Sequence, residues 1–258
     1  MAKIEYEIRG QVAYITLNRP EVRNALDREM VGTLHELWQE FQSSGSARVA
    51  VLTGAGGHFC AGYDVKAINS RQDAGIPFEW SRSSMFGDKR IGPDGHGVTK
   101  PIIAALDGSV NGAGFWLALQ SDIRLATDRA RFGLGEARFG FPVEFAALIS
   151  NYVPRAVAME MLFALKVYDA RRFHELGIIN EIVDGEHLME KARDTAEALL
   201  ERGPLAIMAM KELINFDPNY KEKIRFTAEK VVPVVNSEDT KEAVRAFVEK
   251  RKPEWKLR

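Results

Sequence analysis

Two stretches of this chain share one layout: a short, nearly unbroken apolar run, a turn of glycines and other small residues, and then a helical pattern. ARVAVLTG (47–54) leads into GAGGHFCAG, and PIIAALDG (101–108) leads into SVNGAGFWLALQSD. Runs of that length bounded by glycine read as buried strands rather than helices. Strands that alternate with helices through such turns commit the chain to an α/β class, or to a superhelical arrangement of ββα units.

The flanking sequence fits that frame. YEIRG and VAYITLNR alternate apolar and polar residues around Gly10, as in a β-hairpin. Asp27 precedes REMVGTLHELWQEFQ, in which Met30, Leu34, Leu37, Trp38 and Phe41 recur at helical spacing. DIRLATDRARFGL supplies two more short strands. Segment 69–100 is polar and glycine-rich with isolated aromatics, the composition of a specificity-setting loop. From Pro204 the pattern is helical, with breaks expected at Asp217-Pro218 and Val232-Pro233. The expected organisation is a core over 1–202 and a helical region over 203–258.

Composition excludes several classes. A formal net charge of −1 over 258 residues gives no basic field for nucleic acid or an anionic membrane. No run approaches the ~18 apolar residues of a membrane span. The N-terminal sequence enters strand-like alternation directly, without signal or transit character, so a cytoplasmic protein is expected. One cysteine, Cys60, allows neither an intrachain disulfide nor a thiolate metal cluster. His58 and His96 lack metal-ligand spacing, so no metal site is expected.

The turns GGHFCAGYDVK (56–66) and NGAGFWLALQSD (111–122) each present small residues where a helix begins. Backbone N–H groups there have no partner inside the helix. Two of them converging on one point would form an oxyanion hole, whereas tight strand-to-helix packing demands the same small residues.

RPEVRNAL (19–26), LTGAGGHFCAGYDVK (52–66), ALDGSVNGAGFWLALQSDIRLATDRARFGLGE (105–136) and AFVEKRKPEW (246–255) occur in that order. Together they resemble the crotonase family, the enoyl-CoA hydratase/isomerase superfamily, over nearly the whole chain. The resemblance implies a crotonase-like superhelix of ββα units with a C-terminal helical oligomerisation region. It implies an acyl-CoA thioester as substrate, so coenzyme A arrives as part of the substrate and no separate cofactor is required. It places the thioester oxygen between the N–H groups of Tyr63 and Ala113. Ala61, Asp64, Val65, Gly112, Gly114 and Trp116 would border the substrate. Arg23 and Lys66 would meet the CoA phosphates and adenine, each with a plain surface charge as the alternative. Phe247 and Lys250 match the pair by which the last helix reaches a CoA nucleotide, usually a neighbouring subunit's. A homotrimer, or a dimer of trimers, is also implied.

Family hydratases carry two glutamates twenty residues apart. One matches Glu136 in ARFGLGEARFG, and the position of the other holds Trp116. An indole cannot activate water or deliver a usable proton. The substitution favours double-bond isomerisation or an atypical hydration through Glu136. Glu144 lies eight residues further on, and two carboxylates facing one pocket would split their proton affinities. That pair also suits a thioester or carbon–carbon hydrolase; alternatively Glu144 serves the start of the helix FAALISNYV. Trp80, Met85 and Phe86 are candidates for the acyl pocket. Cys60 reads as packing and Asp122 as framework. A serine hydrolase is disfavoured, since no G-x-S-x-G elbow is present. A non-catalytic RNA-associated relative is disfavoured by the balanced charge.

Overall fold

The computed structural model describes residues 2–65 and 91–256. Lys66, Trp80, Met85 and Phe86 therefore lie outside the described residues.

A six-stranded sheet forms the first layer. It contains β1 (Ile4–Arg9), β2 (Val12–Leu17), β3 (Val49–Gly54), β4 (Ile102–Leu106), β6 (Ile123–Thr127) and β9 (Glu181–Val183), in that spatial order. β1 and β2 are antiparallel around Gly10, whose φ of 61° suits a glycine. The remaining pairs are parallel. The smaller second sheet orders β5 (Ser109–Asn111), β7 (Arg131–Gly133) and β8 (Tyr168–Asp169), and an isolated bridge from Cys60 to Val110 extends it.

The chain thus visits the two layers in turn: β3 and then the Cys60 bridge, β4 and then β5, β6 and then β7. Each stop in the second layer ends beside the previous one. Three segments that are remote in sequence are delivered to one place, and these are the segments of Tyr63, Ala113 and Glu136.

Helix α1 (Arg28–Ser43) is capped by Asp27, whose side chain accepts from the Met30 N–H. It buries Met30, Leu34, Leu37, Trp38 and Phe41, the apolar stripe expected from the sequence. Helix α2 (Ala113–Leu119) is buried along its whole length. The short helices α3 (Ala146–Ile149), α4 (Arg155–Phe163) and α5 (Ala170–Glu175) follow β7. Helix α6 (Leu188–Leu200) covers the other face of the large sheet, setting Leu188, Ala192 and Ala196 against Val49, Val51, Ile103, Ala105 and Leu125.

The helices after residue 203 are α7 (Pro204–Ile214), α8 (Tyr220–Val235) and α9 (Glu238–Val248). The break at Asp217-Pro218 is present, but Pro233 lies inside α8. It sits in the last turn, where its missing N–H costs one hydrogen bond near an end already due to fray. Segment 91–100 likewise departs from a solvated loop. Ile91 and Val98 are buried, and Trp38 Nε1 donates to the Ile91 carbonyl at 2.7 Å. Lys100 is buried because its ammonium donates to the carbonyls of Phe41, Ser44 and Ala47.

Candidate active site

The first motif, RPEVRNAL, is a clamp on the turn at 60–64. Arg23 and Asn24 both take positive φ, 53° and 58°. This directs the fully buried Asn24 amide onto the carbonyls of Ala55 and His58, at 2.9 and 2.7 Å. The Ala61 N–H donates to the Arg23 carbonyl at 2.9 Å, and the Cys60 thiol donates to the Asn24 carbonyl at 3.2 Å. Leu26 and Tyr63 form a bridge through the Gly62 carbonyl and the Asp64 N–H, which flank Tyr63. Arg19 ties Asp64 to the same segment at 3.1 Å. Cys60 is pushed up to about 12 by burial, so it is a packing thiol and not a nucleophile.

The second turn lies directly against the first. Asn111 N–H donates to the Cys60 carbonyl at 2.9 Å, and Gly112 N–H to the Gly133 carbonyl at 3.0 Å. A methyl group placed on Gly62 would be 3.2 Å from the Asn111 carbonyl oxygen, closer than ordinary contact, and 3.7 Å from the Ala113 nitrogen. The glycines therefore let the two backbones approach to contact. Gly62 (φ 97°) and Gly112 (φ 53°) also adopt conformations that suit glycine. Gly114 is excluded from larger residues by Cys60, whose Cβ would be 2.5 Å from an added methyl. Ala113 opens α2, so its N–H has no acceptor within the helix.

Glu136 opens a 3₁₀ turn (Glu136–Phe139) just beyond β7. A methyl on Gly112 would lie 2.8 Å from its Oε1, so the carboxylate sits over the turn that carries Ala113. The residue as a whole is only partly buried. Its Oε2 is shielded from solvent and has no hydrogen-bond partner among the described residues. Burial raises its pKa to about 7, against the opposing pull of the Glu136 and Gly135 N–H groups. No ion pair with Arg138 is present among the described residues.

Two cavities meet at this carboxylate. An outer cleft of about 280 Å³ is lined by Ala61, Gly62, Tyr63, Val65, Gly112, Leu134, Glu136, Arg138, Phe139 and Phe141, among others. An inner pocket is lined by Tyr63, Ile91, Ala113, Trp116, Glu136, Pro142, Glu144 and Phe145. Tyr63 and Glu136 belong to both. The Tyr63 phenol is pushed well above its ordinary value by burial and then by negative charge at Glu144, Cys60 and Glu136. Glu144, only 7% exposed, thus faces the same pocket as Glu136.

Trp116 is 2% exposed and stacks on Phe145, with ring centroids 4.7 Å apart and planes 12° apart. Tyr152 meets it edge-on at 5.7 Å. Ile91, Pro142, Phe145 and Tyr152 were not singled out in the sequence. They come from three separate irregular segments, and no periodic pattern marks them.

The remaining expected residues are placed as follows. Arg23 is exposed, and its firm role is the backbone contact to Ala61. Asp122 is framework: it accepts from the Ile102 N–H and pairs with Lys211 at 2.8 Å. His58 accepts from the Ser109 N–H, which fixes the loop before β5. Phe247 packs edge-on against Phe139 of the cleft at 4.8 Å, and Lys250 is exposed at the end of α9. The Thr240 hydroxyl lies 3.0 Å from the Gly140 carbonyl. α9 thus reaches its own chain's cleft. Phe141, Val231, Val235 and Val244 form the small apolar cluster that holds it there.

Two backbone turns and a buried carboxylate thus meet at one cleft of a mixed α/β fold whose chain alternates between two sheets. The family model for enoyl-CoA hydratase/isomerase matches residues 7–258, so the chain belongs to that family. It is 33% identical over 258 residues to the enoyl-CoA hydratase EchA19 of Mycobacterium tuberculosis, covering 98% of this chain and 96% of the relative. It is 32% identical over 258 residues to the (E)-benzylidenesuccinyl-CoA hydratase of Thauera aromatica, covering 98% of each. The crystal structure of a carnitinyl-CoA hydratase from Mycobacterium avium superimposes with a TM-score of 0.84 at 32% identity, covering 99% of each chain.

Proposed function

We propose that this chain reversibly hydrates the double bond of an enoyl-CoA, with Glu136 and Glu144 as the working carboxylates. The observation that carries this reading is that both acids line one pocket beside Ala113, while the usual position of the second acid holds Trp116. The Tyr63 and Ala113 N–H groups would hold the thioester oxygen as it gains charge, each contributing roughly 3–4 kcal/mol to the barrier reduction. In hydration, ionised Glu144 takes a proton from water as the water oxygen bonds to Cβ. Protonated Glu136 then gives its proton to Cα of the enolate, collapsing it to the thioester. Dehydration runs through the same states in reverse. The names of the relatives, hydratases and dehydratases among them, support hydration chemistry in one direction or the other. Arg23 and Lys66 are proposed to meet the CoA phosphates, and Phe247 and Lys250 to close on the nucleotide end.

A second reading has one specific observation behind it: Glu136 alone lies over the oxyanion turn. It would then shuttle a proton between carbons and isomerise a 3-enoyl-CoA to its 2-enoyl isomer. The two readings require opposite charge states. Two-carboxylate hydration needs the pair to hold one proton, so kcat/KM falls as pH rises past about 7, the range in which Glu136 ionises. A single-carboxylate shuttle needs Glu136 ionised, so its activity rises there. The test is turnover of 2-enoyl- and 3-enoyl-CoA across pH 5–9, following thioester conjugation and free thiol together. Release of CoA without loss or movement of the double bond would sink both readings in favour of a hydrolase. Glu136→Gln is expected to lose about 10²–10⁴-fold in kcat while still binding acyl-CoA.

We further propose that copies of this chain assemble as a trimer through the exposed apolar residues of α7, among them Leu205, Leu213 and Ile214.

A further inference from the structure

Glycine destabilises a fold unless backbone or packing requires it, and most glycines around the cleft meet such a requirement. Gly133 is kept bare by Asn111 Oδ1 and Val167 Cγ2, which an added methyl would approach to 2.8 and 3.3 Å. Gly135 is different. Its φ of −109° and ψ of 2° are open to other residues, and no described atom lies within 4 Å of where a methyl would stand. Its N–H leans toward the Glu136 carboxylate and its carbonyl accepts from the Arg138 N–H, tasks that any residue but proline performs. Gly135 also lines the outer cleft. What its bare Cα keeps open is room in the cleft.

The cleft has a direction there. It follows one edge of the second sheet, from Ala61 beside the Cys60 bridge, past Gly112 after β5 and Gly135 after β7, to Val167 before the antiparallel β8. Neighbouring strands lie about 4.8 Å apart, so β5 and β8 are separated by roughly 10 Å. The thioester hole and Arg23 belong to the Ala61 end, where the CoA arm would leave. Leu165 and Val167 wall the β8 end. Leu165 stands there in the left-handed region at φ 54°, which penalises any residue with a Cβ. Val167 is 55% exposed, apolar surface that a bound chain would cover. Leu134, Leu165 and Val167 offer no side-chain partner to the amides of a pantetheine arm, whereas saturated carbon needs none. The cleft's volume of about 280 Å³ exceeds the ~150 Å³ that admits a benzene-sized guest to an apolar core. The inner pocket, at about 20 Å³, has room for about one water.

Resting on the reading of this cleft as an acyl-CoA site, we propose that the acyl group carries an extended aliphatic chain that runs over Gly135 toward β8, with Gly135 and Leu165 setting the length accepted.

Saturated thioesters separate chain recognition from the reaction. Free CoA, butanoyl-CoA, octanoyl-CoA and decanoyl-CoA are titrated into the purified full-length chain by calorimetry. Octanoyl-CoA should bind at least about tenfold more tightly than butanoyl-CoA, a fraction of what four fully buried methylenes allow. In Gly135→Val that advantage should fall to about threefold or less. Leu165→Gly suits its backbone and removes part of the wall, so it should shift the preference toward decanoyl-CoA. A folded Gly135→Val that keeps the octanoyl advantage overturns the proposal. So does one that weakens free CoA and both shorter thioesters alike, the result expected if the pantetheine arm crosses Gly135. Should Gly135→Val not fold, an unchanged length preference in Leu165→Gly overturns it instead. Length dependence without turnover of any enoyl-CoA would leave the acyl channel standing and refute the hydration reading. Turnover of enoyl-CoA with no octanoyl advantage would do the reverse.

Discussion

Glu136 is an acid placed where the fold penalises its anion. Burial raises its pKa from 4.5 to about 7, and this has a consequence for stability as well as for proton transfer. In the unfolded chain the group ionises near its ordinary value; in the folded chain it keeps its proton until about pH 7. Between those values the unfolded state binds fewer protons, so stability falls as pH rises, and the full penalty is present above about 7. Glu136→Gln removes the anion. The variant should match the wild type in stability below pH 4.5, gain through that window, and be more stable by up to about 3 kcal/mol at pH 8. At roughly 2–4 °C per kcal/mol for a chain of this size, melting curves at pH 4 and pH 8 resolve the difference. A destabilised variant at pH 8 would mean that the carboxylate is held by attraction and not merely desolvated. Trp116→Glu places an acid at the neighbouring position. If that position faces the reacting carbons, it should raise hydration of a short, straight-chain enoyl-CoA. No change in that rate would remove position 116 from the site.

At the scale of elements, the two glycine turns proposed to hold the thioester oxygen are the part of the site most legible in sequence, because their constraint is local. Gly62, Gly112 and Gly114 are required by backbone contact or positive φ, and glycine is the residue type that announces both. Gly112→Ala puts a methyl 2.8 Å from Glu136 Oε1 in a conformation that alanine resists. It should cost about 1–3 kcal/mol in stability and, by displacing the carboxylate, about 10²-fold or more in kcat. Retention of wild-type kcat would show that the carboxylate tolerates displacement from Gly112. The strands and α1 were legible for a similar reason, since their apolar periods are read over a few turns. The inner pocket was not. Ile91, Pro142, Phe145 and Tyr152 converge only because the chain alternates between two sheets, and nothing in their own neighbourhoods records it. Pro233 misled in the opposite sense. Its residue type signals a break, but a helix that is about to end tolerates the lost hydrogen bond.

At the scale of the whole molecule, the helices after residue 203 divide into two kinds of surface. α8 and α9 turn one face inward, where Val231, Val235 and Val244 join Phe141 and Phe247 meets Phe139 at the cleft, while Phe226, Val232, Val234 and Val248 stay exposed. α7 contributes no buried residue, and leaves Leu205 78%, Leu213 76% and Ile214 83% exposed, followed by Phe216 at 75%. Exposed side chains of that size clustered on one helix and its exit mark an association surface more readily than a solvated one. On the proposed reading, α7 serves assembly and α9 serves ligand closure. Leu213→Glu combined with Ile214→Glu should therefore reduce the proposed trimer to a monomer by light scattering. The fold should be unaffected, because neither side chain is buried in the chain itself. Since α9 covers its own cleft, that monomer should still bind acyl-CoA within a few fold of the assembled protein. An unchanged mass would remove α7 as the contact. A monomer that has lost acyl-CoA binding would show instead that a neighbour completes the cleft, leaving the Phe139–Phe247 contact insufficient to close it.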